Sequence, residues 1–467
     1  MISDSEINYE NIVAAKNHLE LHQWDKAIKL LDAVYNNTES PEERLEALFY
    51  RGLAKDYIRD WAGALRDYKQ ALRYADDLRL EGILKNNIGL IFAHLCNWPE
   101  AIKYYNESLR ISLSQKDAYG SALTLGNLAS VYSIRGETEE ALSHYNKCLD
   151  IFTELEDEKN ISLTYNNLGL LYYEKGEFDT SEDYFRKSLE IKERLNDTAR
   201  IAHTLNNLGM VIGDKGDWES AIDYFQRSLE LFEEMKDKYG IAKALGNKGL
   251  AFIKSNDLER AQRYFSRSLA LSENLGDELG MAQNWGNLAL IHVLLEEWKR
   301  AENYYYQCLE VFNRNGDMHS VARTLNHLGF IFAQIDDYDK ATKYFIKSLE
   351  MKRKLGDKVG EAQTMVNLGK VYFNLGEFDR AKDILEKSIK EYSTIGQPKY
   401  QDSIKSLLDE IDEAEMITPD SEELEIKLEM EDDISEVSSI LLEDGIAQEF
   451  SSINDVENHV AKPNNKS

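Results

Sequence analysis

The chain has 467 residues, of which 84 are acidic and 55 are Lys or Arg, so its formal net charge is −29. This excess of acid opposes binding to the phosphates of nucleic acids and of anionic membranes, and we expect neither as a partner. The cysteines are few and form no CxxC pair, which argues against a disulfide framework or a cysteine zinc site; they are Cys96, Cys148 and Cys308.

The N-terminal segment MISDSEINYENIV carries no basic stretch followed by an apolar run, and no part of the chain approaches 18 consecutive apolar residues. A secretion signal has the first feature, and a membrane-spanning helix has the second. We therefore expect a cytoplasmic protein without an inserted membrane segment.

A triplet of Asn, a variable residue and Gly or Ala recurs every 40 residues. It begins at Asn87, Asn127, Asn167, Asn207, Asn247, Asn287 and Asn367, and at His327 in the copy that departs from the pattern. Another small residue follows each triplet after twelve positions, and two earlier copies precede the series at a spacing of 37. The pattern predicts ten repeats between about residue 8 and residue 396.

Within one repeat the apolar spacing is helical. In the copy from 202 to 241, Leu205, Leu208 and Ile212 lie on one side of a first helix. After the turn at 216–218, Ala221 and Phe225 begin the apolar side of a second helix. The small residues allow the two helices to approach closely, and stacked copies share a core. The fold class predicted is therefore all-α, a right-handed α-solenoid of helix hairpins.

Turn residues agree with this register. Gly occupies the turn within several hairpins, where a left-handed conformation is needed, at positions 136, 176, 216 and 376. An Asp recurs between hairpins at 117, 157, 197, 237, 277, 317 and 357, where it can cap the next helix. A metal-binding role for these Asp residues is disfavoured, because there is one copy per repeat and no cluster.

Small residues twelve apart with an aromatic four after the second resemble the tetratricopeptide repeat. The period of 40 and linkers such as Leu275-Gly276-Asp277-Glu278-Leu279-Gly280 are similar to those of Pins/LGN scaffolds and Rap-type regulators. The resemblance implies a groove on the concave side that binds a peptide or a partner domain. No GoLoco-like run follows the repeats, so regulation of a Gα subunit is not indicated.

The recurring Asn of the first helix is predicted to lie on the outward stripe of that helix. Its carboxamide can pair with the N–H and C=O groups of an extended peptide. The series Asn87, Asn127, Asn167, Asn207, Asn247, Asn287 and Asn367 resembles the asparagine ladder of O-linked N-acetylglucosamine transferase, which implies peptide binding. In the alternative, each Asn bonds a neighbouring helix or water.

Other positions on the same side of the first helix, called stripe positions, determine the polarity and charge of the predicted groove. Three residues after the Asn come Leu250, Leu290, Phe330 and Lys370, and basic residues at other stripe positions are Lys243, Lys254 and Arg323. The C-terminal third of the groove is thus basic and suits an amphipathic or acidic segment. The apolar members could equally pack between repeats.

The last part of the chain changes composition. We predict a superhelix over 1–398, a capping helix over 399–418 and an acidic, disordered tail over 419–467. The plain interpretation of the tail is a solubilising segment. In the alternative, a short amphipathic stretch beginning at Ile434 folds back onto the basic groove and competes with a ligand.

The sequence carries no motif of an enzyme. Walker A, GxGxxG, HExxH and GxSxG are absent, and His18 with His22 has no third metal ligand in the sequence. We therefore expect no cofactor and a non-catalytic scaffold or adaptor. The alternatives are a Rap-like regulator whose superhelix changes shape on peptide binding, and a structural protein that assembles through its outer surface. The oligomeric state stays open.

Overall fold

The computed structural model describes residues 4–21, 23–394 and 400–416. These residues form 21 helices, and no strand occurs among them. The helices are α1 Asp4–Glu20, α2 Trp24–Asn37, α3 Pro41–Tyr57, α4 Trp61–Ala71, α5 Leu78–His94, α6 Trp98–Ser114, α7 Ala118–Ile134, α8 Thr138–Glu154, α9 Glu158–Glu174, α10 Phe178–Arg194, α11 Thr198–Asp214, α12 Trp218–Met235, α13 Lys238–Lys254, α14 Leu258–Leu275, α15 Glu278–Leu294, α16 Trp298–Asn315, α17 Met318–Gln334, α18 Tyr338–Leu355, α19 Lys358–Asn374, α20 Phe378–Thr394 and α21 Gln401–Met416.

Consecutive helices pack in pairs, from α1 with α2 to α19 with α20. The odd-numbered member of each pair is called the first helix and the even-numbered member the second helix. Second helices also pack on the first helix that follows them, as α12 does on α13 and α18 on α19. The prediction of an all-α solenoid built from ten tetratricopeptide-like hairpins is confirmed.

The chain divides into two compact units between Thr204 and Leu205, within α11. The N-terminal unit has a core around Leu48, Ile88 and Leu128, which belong to successive first helices. The C-terminal unit has a core of its own. Each unit is thus a stack of hairpins that buries its apolar side chains between neighbouring repeats.

The close approach of the two helices in a hairpin depends on a small residue. A Cβ added at Gly249 in α13 would lie 2.8 Å from ring carbons of Phe265 in α14. Phe265 itself is fully buried. The pairing of a small residue with an aromatic side chain, predicted from the sequence, is confirmed here.

In five of the hairpins a buried serine hydroxyl connects the second helix to the first half of its own first helix. Ser268 Oγ donates to the carbonyl oxygen of Ala242 at 2.8 Å. The same bond over 26 residues is made by Ser108, Ser188, Ser348 and Ser388 at 2.7–2.8 Å. Cys308 takes this slot with its thiol 3.1 Å from the oxygen of Ala282. Cys308 is therefore a packing residue.

The turns follow the predicted chemistry. Gly376, within the last hairpin, has φ of 73°, and Asn256 occupies the same slot in another hairpin with φ of 59°. Each recurring Asp between hairpins accepts a hydrogen bond from the backbone N–H three residues later, at 2.8–3.2 Å. These Asp residues are helix caps.

The chain beyond the repeats contributes one more helix. α21 packs on α20 and buries Ile404, Leu407 and Ile411 in the core of the C-terminal unit. Its apolar spacing is the one that led us to predict a capping helix. The predicted acidic tail over 419–467 lies outside the described residues.

Candidate functional site

The first helices approach one another directly along each unit. α5 contacts α7 and α7 contacts α9 in the N-terminal unit, whereas α13 contacts α15 and α17 contacts α19 in the C-terminal unit. A first helix is therefore covered by its own second helix, by the preceding second helix and by neighbouring first helices. In α17 every residue from Thr324 to Ala333 is buried.

The recurring Asn residues lie inside this layer. Asn87, Asn127, Asn167, Asn207, Asn247, Asn287 and Asn367 are only 0–7% exposed. This differs from the expectation that they face outward, and the reason is that neighbouring first helices cover the side of the helix that carries them.

Two of these Asn residues link successive repeats. Asn127 Nδ2 donates to Asn86 Oδ1 at 3.1 Å, and Asn247 Nδ2 donates to Asn206 Oδ1 at 3.0 Å. Both bonds are buried, so they connect one first helix to the next. For these two residues the structure favours the alternative in which the Asn bonds a neighbouring helix.

The acceptor residues of these links were missed by the sequence reasoning. They stand one position before the recurring triplet, where Asn86, Asn166, Asn206 and Asn326 recur and could have been noticed. Gly246 occupies this position in the repeat before Asn287, and Asn287 Nδ2 is buried without a hydrogen-bond partner. At Asn127 and Asn247 the preceding repeat thus supplies an amide that accepts the bond, and at Asn287 it does not.

The predicted apolar contacts belong to the core. Leu250, Leu290 and Phe330 are all buried, and they pack in the core cluster of the C-terminal unit. Of the two interpretations left open from the sequence, packing between repeats describes where these side chains lie.

The predicted basic residues lie nearer to the surface. Lys243, Lys254, Arg323 and Lys370 are half-buried. Burial lowers the pKa of Lys254, and the charge of Asp214 opposes that change. The Lys254 ammonium lies 5.9 Å from the centroid of the Trp218 ring.

From the repeat at 247 onward, the charged residues at the stripe positions are all basic, whereas Asp214 occupies a stripe position in the repeat before them. We define the C-terminal first-helix face as the stripe positions around the triplets at 247, 287, 327 and 367. Its polar members are Lys243, Lys254, Gln283, Arg323, Gln334, Gln363, Lys370 and Asn374. No acidic residue occupies the defined stripe positions, although the chain as a whole carries −29. Such a face attracts anionic groups.

His327 replaces the recurring Asn in one repeat beneath this face. It is buried, and its ring stacks on that of Tyr305 with centroids 5.0 Å apart. Burial, with the charges of Arg323 and Lys352, lowers the pKa of His327 to about 3. The imidazole is therefore neutral at physiological pH.

No group of three or more His, Cys, Asp or Glu side chains is arranged to hold a metal ion within the ranges that the structure describes. None of the helices described above combines the length and apolar character needed to cross a bilayer.

Several solved structures share this fold at low sequence identity. A Rap protein in complex with Competence and Sporulation Factor is 17% identical, with 68% of this chain and 88% of that chain covered and a TM-score of 0.55. The apo quorum sensor NprR from B. thuringiensis is 19% identical, with 67% and 89% covered and a TM-score of 0.55. A signal-transduction ATPase with a tetratricopeptide repeat sensor from Pyrococcus horikoshii is 17% identical, with 84% and 54% covered and a TM-score of 0.52.

No curated protein sequence matches the chain. The family model described as "Tetratricopeptide repeat" matches residues 80–154, 160–234, 197–274, 240–314 and 320–391, which together span more than half of the sequence. With its paired helices, small-residue contacts and Asp-capped turns, the chain belongs to the tetratricopeptide repeat family.

Proposed function

We propose that this protein is a non-catalytic, cytoplasmic adaptor that binds an acidic segment of a partner protein along the C-terminal first-helix face. The supporting observation is the set of four half-buried cations, Lys243, Lys254, Arg323 and Lys370, in stripe positions that contain no acidic residue. The chain as a whole carries a net charge of −29, so an excess of positive charge is a local feature of this face.

Half-buried cations suit this role for a physical reason. Water screens them less than exposed lysines, so each gains more from an added carboxylate. Gln283 and Gln334 lie on the same face and can pair with the backbone of a bound segment. The recurring Asn residues would then stabilise the helices beneath the ligand and would not contact it, because their side chains are buried.

The proposal is tested by charge reversal on this face. The double variant R323E/K370E and the matched variant K343E/K347E each change the net charge by the same amount. Lys343 and Lys347 are exposed on the second helix α18. Both variants are compared with the wild-type chain in affinity capture followed by chemical cross-linking and mass spectrometry.

We expect the first variant to lose a partner that cross-links to the C-terminal first-helix face, and the second variant to retain it. Equal capture by both variants would refute the proposed face. Equal loss would mean that only the overall charge matters. Capture should also weaken steeply with added salt, because the contact is electrostatic.

The acidic tail over 419–467 is a candidate ligand within the same chain. If it competes for the face, removing it should strengthen partner binding by the full-length repeats. Unchanged affinity after its removal would leave the tail without this role.

A second candidate function is a regulator that changes shape when it binds a ligand. It is favoured by the fold shared with a Rap protein bound to Competence and Sporulation Factor and with a quorum sensor. Small-angle scattering with and without the captured partner segment distinguishes the two functions. A passive adaptor keeps its radius of gyration, whereas a regulator does not.

A further inference from the structure

A small cavity with several polar side chains in its wall lies in the N-terminal unit where α5, α6 and α7 meet. It is open to solvent at one side, and its volume of about 30 Å³ is enough for an ammonium group whose alkyl chain extends through the opening. The residues that matter here are Asn86 on α5, Ser108 and Ser112 on α6, and Asp117 and Thr124 at the start of α7. All except Asp117 are buried.

The same set of side chains recurs at two other junctions between repeats. The corresponding residues are Asn166, Ser188, Lys192, Asp197 and Thr204 at one junction and Asn326, Ser348, Lys352, Asp357 and Thr364 at the other. Four of the five positions are identical in all three sets. The position that differs holds Ser112 at the cavity and a lysine, Lys192 or Lys352, in the other two sets.

Both lysines point into their junction. Lys192 is fully buried, and its ammonium donates to Thr204 Oγ1 at 2.8 Å. Lys352 is also buried, and its ammonium donates to the carbonyl oxygen of Gly360 at 3.2 Å. Burial alone raises the pKa of Asp197, but the hydrogen bond and charge of Arg200 and the charge of Lys192 lower it overall. This junction therefore accommodates a primary ammonium group.

The polar side chains at the cavity, here called its polar frame, are arranged like the corresponding side chains around Lys192. Thr124 Oγ1 donates to the carbonyl oxygen of Gly120 at 2.9 Å, as Thr204 does to that of Arg200 at 2.9 Å. A threonine hydroxyl has one proton, so the oxygen remains able to accept a bond. Thr124 accepts no ammonium here, because the side chain at position 112 is too short to supply one.

Ser112 alone does not explain the open space. Gly82 lines the cavity where the other two frames have Ser162 and Ala322, and a Cβ at Gly82 would approach Ile111 to 3.2 Å. Ser272, the other serine in this slot, has Gly246 in place of the Asn and Asn284 in place of the Thr, so this junction lacks two members of the shared set.

We propose that the cavity at Ser112 is a binding site for a primary ammonium group on a short alkyl chain, supplied by a lysine side chain of a partner or by a small free amine. Thr124 Oγ1 and the carbonyl oxygen of Gly120 accept its hydrogen bonds, and Asp117 supplies the negative charge. Arg79 lies at the mouth, with Nε 3.7 Å from Asp117 Oδ2 and nearly half of its side chain exposed. This site is separate from the C-terminal first-helix face and does not depend on it.

The first test is a titration of the full-length chain, labelled at Leu and Thr methyl groups, with n-butylammonium chloride. We expect saturable shifts at Leu123 and Thr124 in the NMR spectrum, and no such shifts with 1-butanol. In the variant S112K the shifts should disappear, because a lysine of the chain itself then occupies the slot. Absent shifts, shifts that persist in S112K, or equal shifts with 1-butanol would each overturn the proposal.

The variant T124V keeps the volume and removes the acceptor. We expect roughly tenfold weaker binding of n-butylammonium, as for the loss of one hydrogen bond to a charged group. Nα-acetyl-lysine methylamide as a second probe distinguishes the sources. Binding of both probes supports a partner lysine as the ligand, and binding of n-butylammonium alone supports a small free amine.

A measurement that needs no ligand compares S112K with the control S272K. The first frame matches those that already hold Lys192 and Lys352, so S112K should keep or raise the melting temperature. The second slot has Gly246 and Asn284 where the matching sets have Asn and Thr, so it lacks the threonine hydroxyl that accepts from Lys192, and S272K should lower the melting temperature. A loss in S112K as large as that in S272K would contradict the proposed ammonium site, even if both variants fold.

Discussion

The links between first helices can be tested by comparing Asn247→Ala with Asn287→Ala. Both side chains are almost fully buried, at 3% and 1% exposure, in the same slot of neighbouring repeats in one unit. Asn247 donates to Asn206 Oδ1 at 3.0 Å, whereas Asn287 Nδ2 has no partner. The two substitutions remove the same volume and differ in the hydrogen bond.

Removing Asn247 leaves the buried oxygen of Asn206 without its donor. An unsatisfied buried group of this kind costs about 1–3 kcal/mol. Removing Asn287 takes away a buried Nδ2 that has no hydrogen-bond partner, so no acceptor on the preceding first helix loses its donor. We therefore expect Asn247→Ala to be the more destabilising by about 1–3 kcal/mol.

The assay is equilibrium unfolding in urea, followed by far-ultraviolet circular dichroism and fitted with a common dependence on denaturant. An unchanged slope in both variants shows that the unfolding transition exposes the same surface. Equal losses of stability, or a larger loss for Asn287→Ala, would refute the reasoning that the Asn residues act as links between repeats.

Two further predictions concern packing and pH. G249A should lower the free energy of unfolding by about 1–3 kcal/mol, because its Cβ would lie 2.8 Å from Phe265 ring carbons. G286A, whose Cβ would have its nearest neighbour at 3.8 Å, should leave the free energy of unfolding unchanged or raise it by up to about 1 kcal/mol. Similar urea midpoints for the two variants would contradict this. The pKa of His327 falls from 6.5 to about 3 on burial, so the unfolded chain binds a proton between these values that the folded chain does not, and stability falls with decreasing pH in that window. H327N should therefore lose less stability than the wild-type chain between pH 7 and pH 4.5, and parallel losses would count against a buried neutral imidazole.

The sequence predicts the hairpins because the residues that define them act locally. An Asp at the start of a helix, a left-handed residue at its end and a small residue opposite an aromatic one need no knowledge of the remaining fold. Asp357 and Gly249 therefore have the roles predicted for them.

The direction of the recurring Asn could not be predicted in the same way. Helical periodicity distinguishes a buried side from an exposed one only when a helix has an exposed side. The first helices are covered by several neighbours, and in α17 burial is continuous over ten residues from Thr324 to Ala333. Polar residues recur inside this layer where they bond to one another: Asn206 accepts from Asn247, and Asn326 accepts from Thr364.

The slot occupied by Ser112 gives a reason to expect the junctions between repeats to differ in stiffness. In chain order the slot holds Ser112, Phe152, Lys192, Phe232, Ser272, Phe312, Lys352 and Tyr392, so polar and aromatic side chains alternate. An aromatic junction excludes water and resists deformation, because separating it exposes apolar surface. A polar junction is held by hydrogen bonds that water can replace at a small net cost.

If the protein changes shape on binding, the change should therefore occur at the polar junctions. Ligand-dependent hydrogen exchange at the start of α7, α11, α15 and α19, with α9, α13 and α17 unaffected, would identify a regulator, whereas a rigid adaptor would show protection only where the ligand lies.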